Sequence, residues 1–425
     1  REEHQIIMRA GGEKMLNKIA GILFGSGLAG LHSDDALAAI AGNALDLSIE
    51  CLAIEDAHGR RLAEDAWARV SRPPADMSAM DGYAVRLEDV RSPGTRLSVI
   101  GEAPAGAPFA GKVGPGEAVR IFTGGELPAG ADHIAIQEDT TRDESTIVCV
   151  NGYGSPQFVR KAGRDFDEGD LLLPEGATLG AAELGLLAAG NIGEVKFLRR
   201  PRIGILANGN ELKPPGSELD RGEIVNSNPV ALAALIRDWG GEPVDLGIAE
   251  DTLEAIAARI EAAEDIDIFL PVGGASVGDH DLMRPAFAAA GFEPVFEKIA
   301  VRPGKPTWFS RRNGTRVLGL PGNPASALVC AQLFLKPLIT GTPQSLVPAS
   351  LACDIEANGP REHYMRAFVS LSADGRLTVD PAPDQDSSLI KPFVTSAALL
   401  RRLPDAPARK RGEPVDIILT SLPRF

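Results

Sequence analysis

The sequence predicts a multidomain α/β protein. Three observations carry this. Strand-length apolar runs alternate with helix-length amphipathic runs between residues 201 and 340. Short apolar runs broken by Gly and Pro fill residues 70 to 170 and return beyond 350. The length of 425 residues, with 44% hydrophobic side chains, suits two to four domains at roughly 100 to 200 residues each.

Taken in order, residues 1–32 read as an extension. Within them IAGILFGSGLAGL follows Lys14 and Lys18 like the apolar core of a signal peptide, but it is too short to span a bilayer and the hydrophilic REEHQ precedes it. SDDALAAIAGNAL (33–45) reads as a helix with Ser33 as N-cap and acids in its first turn. IEDAHGRRLAEDAWA follows as a helical or extended piece, and 33–70 with 170–200 are expected to form a linking domain. Turn-broken runs such as RLSVIGEAPAGAPF predict a β-rich domain over 71–169. Over 201–345, strands RIGIL, PVDLGI, DIDIFLPV and VLGL alternate with helices, the first of them NPVALAALIRDWGG with Pro229 in its first turn and Gly240 beyond its end. Such alternation implies a parallel sheet covered on both faces. Over 346–425 a hairpin turning at Asp374-Gly375 and a last strand, PVDIILTSL, predict a small β domain.

The formal charge is -15, from 58 acidic against 43 basic residues. This opposes a nonspecific hold on nucleic acid or anionic lipid, so neither is expected as a partner and any anionic ligand must be gripped locally. The four cysteines, Cys51, Cys149, Cys330 and Cys353, form no C-x-x-C pair. Neither a zinc knuckle nor a disulfide framework is indicated, and a cytoplasmic compartment is expected.

Each strand of the α/β segment ends in a polar loop: ANGNEL with Glu211, then Glu250 and Asp251, then GGASVGDHD with Asp281, then PGNPAS. The carboxyl ends of parallel strands share one edge, where ligands bind. Singly, each loop is equally a tight turn or a helix cap; together they predict a site. Gly273, Gly274 and Gly278 allow close backbone approach, and their amides beside a helix start suit phosphate. PGNPAS offers a second helix start with the Ser326 hydroxyl. Lys298, Arg302 and Lys305 fall together in KIAVRPGKP, a cationic exception in an acidic chain. Glu211, Asp251 and Asp281 suit a hard divalent cation such as Mg²⁺. No Cys or Ser-His pair suggests a covalent intermediate, and the six histidines show no metal-ligand spacing.

PPADMSAMDGYAV (73–85), IFTGGELPAGAD, GRDF, the N-E-L loop, GGASVGDHD, RPGKP and LPGNPASA stand in the order and spacing of the MoeA-type molybdopterin molybdenumtransferases, which include the E domain of gephyrin. The chain resembles that family from about Ser33 to its C-terminus. The resemblance implies an elongated homodimer whose three-layer α/β domain is similar to molybdopterin adenylyltransferases, joined to a β-rich inserted domain and a C-terminal small β-barrel. It implies a transferase that inserts molybdate into adenylylated molybdopterin and releases AMP with a divalent cation. It places Asp81 of the SAMDGYAV loop in the site of the other subunit. Asp81, Glu211, Asp251 and Asp281 are the implied catalytic set. Thr123, Asp165, Gly273, Gly274, Ser276, Gly278, Lys298, Pro321, Gly322 and Asn323 are expected around molybdopterin and nucleotide. Arg302, Lys305, Pro306, Ser326, Arg366 and Ser387 are expected around molybdate. Molybdopterin adenylyltransferase and apo-molybdoenzymes are the further partners implied.

Several positions depart from the family pattern. The usual TGDEL is NGNEL, with Asn208 and Asn210; the Asp before the SN pair is Asn226; and Asp386 replaces a Gly before Ser387. Two alternatives therefore stand beside the main expectation: a catalytically weak paralogue acting as a cofactor carrier or scaffold, and a tungstate-preferring enzyme.

Overall fold

The computed structural model describes residues 30–273, 282–372 and 374–421. The chain divides into two compact units, one formed by Ser48–Arg199 and the other by Arg1–Leu47 with Arg200–Phe425.

The second of these opens on helix α1 (Ser33–Ala41). His32, not Ser33, is its N-cap, because the Ser33 hydroxyl is spent on Glu362, donating to its carboxylate. Ala36, Ala39 and Ile40 are buried in one cluster with Leu338, Ile339 and Leu399. This helix thus belongs to the α/β unit, and the linking domain expected over 33–70 and 170–200 does not include it.

The unit's main sheet is built from β1 (Arg202–Asn208), β2 (Glu242–Ala249), β3 (Ile268–Val272), β4 (Glu293–Phe296), β5 (Trp308–Arg312) and β6 (Thr315–Gly319). Their order is β2-β1-β3-β6-β5-β4. The first four are parallel, whereas β5 runs antiparallel to both β6 and β4. The sheet is therefore mixed, not wholly parallel as expected. The cause is local: Asn313-Gly314 closes a two-residue hairpin between the partners Arg312 and Thr315, with Asn313 at φ +50°. Helices α2 (Asn228–Asp238), α3 (Leu253–Ala262), α4 (Met283–Ala289) and α5 (Pro324–Cys330) connect the strands. β1 and β3 are buried nearly throughout, as a sheet covered on both faces requires. Ile205, Leu270 and Leu320 join the core on one side, and Leu206, Phe269 and Val317 the core on the other.

Beyond these, β7 (Val347–Leu351), β8 (Glu362–Leu371), β9 (Leu377–Pro381), β10 (Ala398–Arg402) and β11 (Pro414–Leu419) pair in the order β8-β9-β7-β11-β10 and back to β8. This is the expected small barrel, closed so that no edge is left open. Its hairpin turns at Gly375, φ +78°. The short strand Val301–Arg302 pairs with Glu362–His363 of β8 and so attaches the barrel to the α/β layer.

The unit Ser48–Arg199 holds a six-stranded sheet that includes Gly82–Val85, Arg96–Ala103 and Glu117–Ile121. A helix, Ala181–Ala189, packs with the antiparallel pair Ile49–Ala53 and Glu194–Leu198 at its base. The stretch read as helical or extended forms only a single turn of 3-10 helix, Ile54–Asp56, before the chain extends.

Candidate active site

The order β2-β1-β3-β6 grows outward from the β1/β3 pair, since the chain passes from β1 to β2 on one side and reaches β3 on the other. That reversal leaves a crevice at the carboxyl ends of the two strands. Asn208, the last residue of β1, is 5% exposed. Its Nδ2 donates to Asp251 Oδ1 at 2.9 Å, the backbone N of Asn210 donates to Asp251 Oδ2 at 3.2 Å, and Asp251 N returns a bond to Asn210 Oδ1 at 3.3 Å. The Asp251 carboxylate is thereby fixed by neutral donors that add no competing charge. Gly209, at φ +149°, lets the chain fold Glu211 back over itself. A Cβ there would meet the Glu211 carboxylate oxygens at 2.7 and 2.8 Å. Glu211 and Asp251 therefore flank one turn.

Across the crevice Gly273 sits at φ +100°, and a Cβ on it would lie 3.2 Å from the Asn208 carbonyl oxygen and 3.5 Å from Asn208 Oδ1. Gly273 N donates to Leu320 O at 3.2 Å, which ties the end of β3 to the end of β6. Pro321 follows and is buried, then Gly322, whose carbonyl accepts from Asn228 Nδ2 at 2.7 Å. Asn228 opens α2 and was not singled out from the sequence. The signal was there: both α2 and α5 begin with Asn-Pro, and in each the Asn reaches out of its own helix. Asn323 makes no cap bond to α5 and instead donates to Ser387 Oγ at 2.8 Å.

That second bond builds the other part of the site. Ala325 N donates to Ser387 O at 3.0 Å, so the 384–389 loop lies on the first turn of α5, beside the buried Ser326. The RPGKP turn is pinned to the same helix. A Cβ on Gly304, at φ +119°, would strike Cys330 Sγ at 2.1 Å, and Thr307 Oγ1 donates to Gly304 O at 2.8 Å. Arg302 and Lys305 are left exposed on that turn, with Pro306 half-buried between them and Thr307. The local field is positive: burial first, then Arg302, Arg361, Arg402 and Arg366, push the His363 imidazolium down to about 4.

Arg366 differs from its expected role. It is 1% exposed, and its guanidinium donates to the carbonyls of Leu389 (2.6 Å), Asp386 (2.9 Å) and Asp384 (3.3 Å). It is a positioning residue that shapes the loop carrying Ser387, not a free cation facing a ligand. Asp386 is likewise engaged within its own loop: its carboxylate accepts from Ser388 Oγ at 2.6 Å and Ser388 N at 2.8 Å, which hold it below its ordinary pKa. Lys298 is half-buried and lines a cavity of about 490 Å³ with Arg284, Phe292 and Trp308, between α4 and strands β4 and β5. Among the described residues no hydrogen bond joins it to the β1/β3 crevice. Gly274, Ser276, Gly278 and Asp281 lie outside the described residues. Among the described residues no three carboxylate, imidazole or thiol groups converge as a metal cage. Glu211 and Asp251 nonetheless supply the hard oxygen donors a small divalent cation requires.

In the unit Ser48–Arg199, Asp81 ends the SAMD turn just before the strand Gly82–Val85. Thr123 donates to Asp81 Oδ1 through its backbone N (2.7 Å) and its hydroxyl (2.9 Å), which together hold the Asp81 carboxyl below its usual range. Asp165 is tied to the start of the same segment, donating its N–H to Arg72 O at 2.9 Å and facing Arg72 Nε at 3.7 Å. The three residues named from this unit thus belong to one connected loop system.

Residues 31–190 match the MoeA N-terminal region (domain I and II), residues 204–341 a probable molybdopterin binding domain, and residues 348–420 the MoeA C-terminal region (domain IV). The chain is 37% identical over 347 residues to a molybdopterin molybdenumtransferase of Nostoc sp., covering 78% of this chain and 79% of that one. It is 36% identical over 356 residues to the Haemophilus influenzae protein of the same name, covering 82% and 88%. Among solved structures, the molybdopterin biosynthesis MoeA protein of Pyrococcus horikoshii superposes with a TM-score of 0.78 at 32% identity, over 92% of this chain and 98% of that one. With three successive regions matched and relatives above 30% identity over most of its length, the chain belongs to the MoeA family.

Proposed function

We infer that this chain is a molybdopterin molybdenumtransferase, inserting molybdate into adenylylated molybdopterin with release of AMP. The observation that supports this best is the anchoring of both molybdate-loop candidates on one helix, Ser387 with Asn323 at the start of α5 and the RPGKP turn against Cys330 at its end. A compact tetrahedral dianion needs hydroxyl donors and cations that converge without carboxylates between them. Ser326, Ser387, Arg302 and Lys305 supply these, while Asp386 is turned onto Ser388. At the β1/β3 crevice Glu211 and Asp251, with Asp281, would hold Mg²⁺ or a similar cation. When bound, that ion neutralises charge on the phosphoanhydride. The chain's own residues position the substrate: Asn208 and Asn210 fix Asp251, and Gly273 and Gly322 leave room for close backbone approach.

The active unit is a homodimer in which Asp81 of one subunit serves the crevice of its partner. Thr123 aims the Asp81 carboxylate and holds its pKa below the ordinary aspartate range. AMP release from adenylylated molybdopterin tests the function. Release that requires both molybdate and a divalent cation is expected; release independent of molybdate, or none with both supplied, overturns the assignment.

A further inference from the structure

Two buried carboxamide oxygens beside the crevice have no partner, and no expectation from the family accounts for the first of them. Asn208 is 5% exposed and Asn228 is 6% exposed, and among the described residues the Oδ1 of each accepts no hydrogen bond. Their amide orientations are fixed by chemistry: Asn208 Nδ2 faces the Asp251 carboxylate and Asn228 Nδ2 faces the Gly322 carbonyl, and only a donor fits opposite an acceptor. The free oxygens must then point the other way. Asn208 Oδ1 lies 3.5 Å from where a side chain on Gly273 would begin. Gly322 stands between, with its carbonyl on Asn228 and a Cβ position 3.4 Å from Gly273 Cα. Asn208 Oδ1 therefore belongs to the neighbourhood of the Gly273/Gly322 approach, whereas Asn228 Oδ1 is turned away from Gly322.

A buried acceptor left unpaired costs stability and persists where a ligand supplies the missing donor. A cation on Asp251 does not suit Asn208, since the group turned toward Asp251 is the amide nitrogen. An N–H donor does. We propose that Asn208 Oδ1 reads an N–H group on the heterocycle of the bound substrate, making Asn208 a specificity-determining residue in this chain. The inference rests on the molybdenumtransferase reading above. Both the aminopyrimidinone of the pterin and the 6-amino group of adenine offer such donors. The Thr usual at position 208 in the family would present a methyl and a hydroxyl instead, so this acceptor is a property of the Asn.

The test is calorimetric binding, without divalent cation and under anaerobic conditions, of molybdopterin and of AMP separately to the full-length wild type, Asn208→Thr and Asn208→Ser. Both substitutions replace the amide by a hydroxyl that can still donate to Asp251 and remove the carbonyl; the smaller Ser variant decides should the Thr variant not fold. A loss of affinity of about tenfold for molybdopterin, with AMP unchanged, is the expected result. The same loss for AMP alone upholds the N–H reading and identifies adenine as its source. Unchanged affinity for both ligands in a folded variant overturns the inference and leaves the transferase assignment standing. A wild type that binds neither ligand overturns the assignment itself, and the inference with it.

Discussion

Asp251→Ala separates the structural from the chemical work of one carboxylate. Its Oδ1 accepts from Asn208 Nδ2 and its Oδ2 from Asn210 N. Asn208 is 5% exposed, so its amide loses an acceptor without gaining water, a cost of about 1–3 kcal/mol; Asn210 N lies in an exposed turn where water replaces the carboxylate at a cost of about 0.5 kcal/mol. The sum of about 1.5–3.5 kcal/mol corresponds to a fall of roughly 3–14 °C in the melting of the α/β unit. Asp251→Asn keeps one carbonyl acceptor and loses about 1 kcal/mol. Turnover should rank the variants differently, with both falling more than about a hundredfold, because each removes the charge that the proposed reaction assigns to Asp251. Calorimetry alongside molybdate-dependent AMP release measures the two effects. An Ala variant melting within a degree of wild type would refute the claim that Asp251 is what holds Asn208, and an Asn variant that turns over normally would refute the need for its charge.

Other perturbations follow from the same coordinates. Arg366→Ala removes three carbonyl anchors of the 384–389 loop and destabilises by about 2–4 kcal/mol; cleavage by endoproteinase Asp-N at the Gln385-Asp386 bond should accelerate and the KM for molybdate rise, whereas an unchanged digestion pattern would mean the loop stands without it. His133 is fully buried, with Nδ1 accepting from Gln157 N at 3.0 Å and its ring 4.2 Å from Tyr153, and burial pushes its pKa down to about 4. A native pKa below the unfolded value of about 6.5 means stability is complete above that pH and is lost as pH falls toward 4, by about 2 kcal/mol between pH 7 and 5. His133→Gln should flatten that slope in urea titrations, and an identical slope would exclude His133 as its source. Gly82→Ala in the MDGYAV segment puts a Cβ 2.3 Å from Ala135 O, costing more than about 3 kcal/mol; a soluble variant melting like wild type would contradict the strand packing described.

Much of the fold was legible because its signals are local. The α/β alternation is written in runs such as RIGIL and DTLEAIAARIEAA, each bounded by Gly, Pro or a cap, and the barrel hairpin in Asp374-Gly375. The antiparallel β5 was equally legible in Asn313-Gly314 but is easily passed over among longer runs. Other features depend on distant partners. Nothing around Ser33 indicates that its hydroxyl meets Glu362, nor that Ala36 and Ile40 pack with Leu338 and Leu399. Site residues on strand ends could be grouped from topology alone, since parallel strands share one carboxyl edge. Arg366 could not be understood that way, because barrel closure decides that its guanidinium meets carbonyls and not solvent. Asn208 shows the same limit: a sequence shows the substitution, but only the fold shows which end of the amide is occupied.

The central claim is that carboxylates from two different subunits serve one substrate, and mixing two inactive variants tests it most directly. Asp81→Ala and Asp251→Ala subunits, each purified, should show negligible AMP release alone. Unfolded and refolded together in equal amounts, they should recover about a quarter of wild-type turnover, because about half the dimers are mixed and each of those carries one intact site out of two. Recovery of nothing from a mixture shown to contain mixed dimers would contradict the shared site.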